Sequence, residues 1–209
     1  MKKLSMVAAV GMLSLSAALA QHEGHGGHGM GTHGAPAQAT TVVFRVAALH
    51  CQACVNVVQP ALAKTAGVKS AKASFQEKTV VVTYEEGKTD VQALAQVIAR
   101  TPSPMPKARF EPALLLMAHG VSDAKQAGRL SKALKGVKGV GRADVQSGVA
   151  SVTFAGKPAV RLADLKAAAA KAGFMVMPLP AERAKPAGAH GQGHGAESGG
   201  HAGHQGHGH

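Results

Sequence analysis

The sequence predicts an α+β protein of two tandem domains, each with the element order β-α-β-β-α-β. Three observations lead there. Between residues 41 and 180, runs of alternating apolar residues give way in turn to runs with helical spacing. The chain also matches itself when slid by 72 residues. Gly67-Val68 falls on Gly139-Val140, Val58 on Leu130 and Leu62 on Leu134; after a two-residue contraction Thr83-Tyr84 falls on Thr153-Phe154. Finally, aromatic residues make up 3% of the chain and there is no Trp, which disfavours one large packed core.

In the first unit, residues 41–111, TVVFRVA reads as a strand with Val42, Phe44 and Val46 on one face. LHCQAC follows as a loop, with Cys51 in it and Cys54 entering the first helical turn. The helix VNVVQPALAKTAG aligns Val55, Val58 and Leu62, and Pro60 is expected to kink or shorten it. VKSAKASF and KTVVVTYEEG read as paired strands. TDVQALAQVIART reads as a helix capped by Thr89 or Asp90, and KARFE as a short closing strand.

The second unit, residues 112–180, repeats the order. ALLLMAH is a strand, SDAKQAGRLSKALKGV a helix, GRADVQ and VASVTFAG a strand pair, VRLADLKAAAAKAG a helix and FMVMPL a strand. The slide that aligns the units sets Cys51 on Asp123 and Cys54 on Gln126, so the second unit keeps the scaffold without thiols.

The ends read differently. Residues 1–20 carry Lys2 and Lys3, an apolar run and a small-x-small site at Ala18-Leu19-Ala20, the pattern of a secretory signal peptide. The expected mature protein is periplasmic or secreted and is not an integral membrane protein. Residues 21–40 and 181–209 are Gly- and His-rich without an apolar face, and are expected to be disordered. Removal of Lys2 and Lys3 takes the formal net charge from +12 to +10. That charge suits an anionic surface or an acidic partner, but no nucleic-acid recognition motif accompanies it. Lys125, Arg129, Lys132 and Lys135 lie along one side of a helix, either as a solvated face or as a docking surface.

The chemistry centres on the two cysteines. C-x-x-C at a strand–helix junction lets both sulfurs converge, and the helix N-terminus favours thiolate over thiol. Two thiolates without a further fixed ligand suit a soft ion of low coordination, Cu(I) or Hg(II). Zn(II) asks for four ligands, and His50 is a weak candidate for a third. A redox disulfide stays open as an alternative in an oxidising compartment, whereas a staple across so short a loop stabilises little.

The stretch Ala48-Leu49-His50-Cys51-Gln52-Ala53-Cys54, set in a β-α-β-β-α-β order, resembles the heavy-metal-associated (HMA) domain family, whose pattern is Gly-Met-x-Cys-x-x-Cys. The resemblance covers residues 41–111 with ligands and 112–180 as a degenerate scaffold. It implies a ferredoxin-like fold in each unit and Cys51 and Cys54 as metal ligands. It further implies kinship with periplasmic copper chaperones and mercury-binding proteins. Leu49 stands for the family methionine that packs under the loop, and Ala48 for its glycine.

Ten of the 12 histidines lie in the tails: His22, His25, His28, His33, His190, His194, His201, His204, His207 and His209. Spaced by glycine, they can wrap borderline ions such as Zn(II), Cu(II) or Ni(II) when neutral. Met175 and Met177 share a face of the last strand, where thioether ligation competes with plain packing. His119 has no ligating partner nearby in sequence. No nucleophile–base pair or phosphate-cradling loop is present, so an enzyme is not expected. The reading is an exported carrier or scavenger of a soft metal, with Cu(I) leading and a metal-transporting ATPase or efflux component as a possible partner. A mercury-binding resistance protein and a thiol–disulfide oxidoreductase are the alternatives.

Overall fold

A computed structural model describes residues 39–184. The expected signal peptide and all ten tail histidines lie outside the described residues. Within them the order is β1 (Ala39–Ala47), α1 (Gln52–Ala63), β2 (Val68–Ser74), β3 (Thr79–Glu85) and α2 (Val91–Arg100). Then follow β4 (Glu111–His119), α3 (Ala124–Lys135), β5 (Val140–Gln146), β6 (Val149–Phe154), α4 (Leu162–Lys171), β7 (Met175–Pro178) and a closing 3-10 turn, Ala181–Ala184.

The repeat is carried through to the backbone. The slide of 72 superposes the bounds of β1 on β4, α1 on α3 and β2 on β5. Both repeats place a bulge at the start of the second strand, between Val68 and Ser70 and between Val140 and Arg142. The matched glycines Gly67 and Gly139 have φ of 85° and 98°. A Cβ at Gly67 would meet the Lys88 side chain, and one at Gly139 the Pro158 carbonyl. A left-handed backbone in so close a space admits only glycine.

Several expectations need correction, and β1 from Ala39 and the turn at Ala181–Ala184 already overrun the segments expected to be disordered, 21–40 and 181–209. KARFE forms no closing strand, because residues 101–110 lie outside any regular element and β4 begins only at Glu111. Pro102, Pro104 and Pro106 precede it, and each lacks the N–H that a strand ladder needs. Phe110 still enters the core, only 2% exposed. As a result the first repeat makes three strands, and the edge of β1 is covered by β4, the first strand of the second repeat. Val43 to Ala47 pair antiparallel with Leu115 to Glu111. The two repeats therefore share one seven-stranded sheet, ordered β2-β3-β1-β4-β6-β5, with β7 on β4. The boundary expected between residues 111 and 112 falls inside a strand.

β4 is the junction. One of its edges pairs with β6 across Leu114 to Met117. Its other edge is divided: the first half pairs with β1 and the second half, Leu116 to His119, with β7. An unpaired edge is an aggregation template, and the division gives each half of this edge a partner.

A further correction concerns the shortening expected at Pro60. α1 runs through it to Ala63, as long as its proline-free counterpart α3.

Alternation along the strands sorts the side chains into two faces. Val42, Phe44, Val46, Leu114, Leu116 and Ala118 point to the helix side. There Val55, Val58, Leu62, Leu94, Ile98, Leu130, Leu134 and Leu165 complete one apolar core spanning both repeats, which corrects the expectation drawn from the low aromatic content: aliphatic side chains fill most of it. Among the described residues, the opposite face carries a small cluster, Val43, Leu115 and Leu179, with Val81, Met117 and Val149 packed around it.

Candidate metal centre

The loop after β1 is set by its buried anchor. Leu49 is fully buried in the core, as expected for the residue in the methionine position. Its N–H donates to the Val46 carbonyl at 3.3 Å, closing the turn. Ala48 makes that turn with φ of 65°, a left-handed conformation unfavourable for any residue with a Cβ. Its counterpart in the second repeat is Gly120, with φ of 83°.

Cys51 is the N-cap of α1, in extended backbone, and its Sγ accepts from the Cys54 N–H at 3.1 Å. Cys54 lies in the first helical turn and is fully buried; Cys51 is half-buried. The Cα atoms are 5.2 Å apart and the two sulfurs form a disulfide. The first turn of α1 holds no acidic residue, so nothing there offsets the positive end of the helix dipole. Once the pair is reduced, that field stabilises thiolate at the cap. His50 is exposed, one residue outside the cap. Among the described residues, no three His, Cys, Asp or Glu side chains gather at one point. The arrangement offers two sulfurs and suits an ion content with two ligands.

The second repeat uses the same cap with different chemistry. Asp123 is the N-cap of α3, and its Oδ1 accepts from the Gln126 N–H at 2.7 Å. Sulfur and carboxylate occupy one backbone role, and only the sulfur pair can ligate a soft ion.

Ionic contacts also separate the repeats. The Glu85 carboxylate at the end of β3 lies 2.6 Å from both Lys69 Nζ and Lys88 Nζ. These two ammonium groups hold its carboxyl below the usual carboxylate range. The second repeat has Gly141 and Ala155 where Lys69 and Glu85 stand. On α3, Lys125, Arg129, Lys132 and Lys135 are exposed, and the Arg129 guanidinium lies 5.8 Å from the centroid of the Phe174 ring.

One grouping could not be read from the sequence. β4 and β7 pair with Met117 opposite Met177 and His119 opposite Met175. His119 thus has a soft partner, distant in sequence and adjacent in the sheet. The only local signals are Met-x-His at the end of one strand and Met-x-Met in the other; the register that joins them is tertiary.

The heavy-metal-associated domain family matches residues 43–102. The chain belongs to that family through this segment. It is 38% identical over 56 residues to the mercuric transport protein periplasmic component of Salmonella typhi, covering 27% of this chain and 62% of that one. The protein of the same name from Pseudomonas aeruginosa is 34% identical over 59 residues, covering 28% and 65%. The chain thus spans less than two thirds of the length of these curated relatives. Among solved structures, oxidised MerP from Ralstonia metallidurans CH34 is 32% identical, covering 34% of this chain and all of that one, with a TM-score of 0.29. The water-soluble region of the P-type ATPase CopA from Bacillus subtilis is 22% identical, covering 68% and 92%, with a TM-score of 0.35.

Proposed function

We propose that the protein is an exported, non-enzymatic carrier or scavenger of a soft metal ion, held between Cys51 and Cys54. The observation that carries this reading is the placement of the thiol pair. One sulfur caps α1 and the other lies in its first turn, within a heavy-metal-associated domain and beside the positive end of a helix. The disulfide is the closed form. Two electrons and two protons, supplied by a dithiol reductant, open it to the binding form. Transfer then proceeds by ligand exchange, in which a partner's thiolate or thioether attacks the two-coordinate ion and takes it over. A metal-transporting ATPase or an efflux component is the kind of partner that fits.

Cu(I) and Hg(II) both satisfy the softness of the site. The mercuric transport relatives favour Hg(II). The glycine-spaced histidines of the tails favour copper, which an oxidising compartment presents as Cu(II) to imidazole and a reductant presents as Cu(I) to thiolate. Periplasmic or secreted localisation follows from the leader at residues 1–20.

The test is competitive titration of the reduced full chain with Cu(I) and, separately, with Hg(II), beside the Cys51→Ser/Cys54→Ser variant. One tight equivalent of each ion, lost in the variant, is expected. Tight binding that survives the double substitution would sink the assignment. Insulin reduction that needs the cysteines and ignores copper chelation would move it to thiol–disulfide exchange.

A further inference from the structure

We propose a second, thiol-independent site for Cu(I) on the open face of the sheet, formed by Met117 and His119 of β4 with Met175 and Met177 of β7. The register puts Met117 directly opposite Met177 and His119 directly opposite Met175. Directly opposed residues in an antiparallel pair have Cβ atoms about 4.5–5.5 Å apart, and diagonal neighbours stand about 7–8 Å apart. All four side chains belong to one face. Their in-between neighbours Ala118 and Val176 are buried in the helix-side core, and alternation turns the four away from it.

The four side chains are also reachable. Met175 is 61% exposed, the one large apolar side chain so exposed among the described residues. His119 is exposed, and Met117 and Met177 are half-buried. A strand end that places a methionine in water gains no packing from it. Thioethers on three rotatable bonds can close on an ion without movement of the backbone.

The donor set selects the ion. Three thioethers and a neutral imidazole are soft to borderline and carry no charge, which suits a monovalent soft cation. The shallow cavity beside Met117 and His119 is completed by Ala118, Ser147, Gly148, Val149, Leu179 and Arg183, with no carboxylate for a hard dication. Arg183 Nη1 donates to Met117 Sδ at 3.2 Å, so that sulfur's lone pair is already directed outward to a cation. The exposed arginine must swing aside when the ion binds, and it therefore acts as a competitor.

The site complements the thiol pair. The Cys51–Cys54 disulfide has no thiolate to offer, whereas thioethers do not close on one another under oxidation. Cu(I) can be retained on the second repeat while the first is shut. This proposal does not depend on the cargo of the thiol site.

The test uses the full chain carrying Cys51→Ser and Cys54→Ser, labelled with 13C at the methionine methyl groups and titrated with Ag(I), a redox-stable stand-in for Cu(I). The Met117, Met175 and Met177 methyl signals are expected to shift together and saturate at one equivalent, while Met105 stays still. Met175→Leu, at an exposed position that leaves the fold intact, is expected to weaken that binding at least tenfold, and His119→Gln to weaken it less. Arg183→Ala is expected to tighten it. The proposal is overturned if the three signals fail to move before the tails are saturated, or if they move but Met175→Leu leaves the affinity unchanged.

Discussion

At the start of α1 the capping atom is the sulfur of Cys51; 72 residues later, at the start of α3, it is the carboxylate of Asp123. Each accepts the N–H three residues on, from Cys54 and Gln126. The helices that follow are equally long and bury equivalent residues, Val58 and Leu62 against Leu130 and Leu134. The second repeat has no thiols yet keeps the same helix, because a cap needs only an acceptor at the N-terminus. The first repeat has the converse peculiarity. It keeps the thiols and borrows its fourth strand from its neighbour. In the second repeat the fourth strand exists as β7, and it brings Met175 and Met177 to the face where the first repeat has no such strand. Arg45 and Ala47 stand at the positions of Met117 and His119. The same frame therefore carries thiols at one loop and thioethers on one strand pair.

The comparison breaks most sharply if the thiols can be moved. Asp123→Cys with Gln126→Cys restores C-x-x-C to the second repeat at a cap of known geometry. Under reducing conditions the variant is expected to bind one additional equivalent of Hg(II), counted by titration against the unchanged chain. If the stoichiometry does not rise, cap geometry is not sufficient for the thiol site.

Next in size is the test of the shared sheet. Leu62 and Leu134 are matched and fully buried. Leu62→Ala and Leu134→Ala are each expected to cost about 2–5 kcal/mol. Because core and sheet run through both repeats, each substitution should lower one common unfolding transition in calorimetry. Two transitions, each moved by only one of the substitutions, would show that the repeats unfold as separate domains.

The smallest effect concerns the turn before the cap. Ala48 and Gly120 both have positive φ. Ala48→Gly is expected to raise stability, and Gly120→Ala to lower it, each by about 1 kcal/mol. Denaturant midpoints check both signs. A change of the same sign in the two would show that packing around the loop, not backbone strain, sets the cost there.

Much of this was legible in the chain. The element order, the repeat and the inward faces of Val42, Phe44 and Val46 follow from period and spacing, which report local geometry. That Thr89 or Asp90 caps α2 follows from residue type, and the structure selects Asp90, whose Oδ1 accepts from the Ala93 N–H at 2.8 Å. The element order also places Cys51 and Cys54 at a loop–helix junction, and the family resemblance implies the burial of Leu49. Pro60 does not shorten α1, because a helix with a well-buried face tolerates one missing hydrogen bond. KARFE was misjudged because strand-like alternation over a few residues says nothing about whether an edge is free to receive them.

By itself, then, the sequence determined the α+β repeat, the thiol pair and its loss from the second unit, since each depends on residues within one turn or one strand of each other. Tertiary structure alone decided that the two units share a sheet, that β4 divides one edge between β1 and β7, and that His119 lies against Met175. Strand pairing is settled by competition among all available edges and by which face can be buried, and neither quantity is carried by any short stretch of the chain.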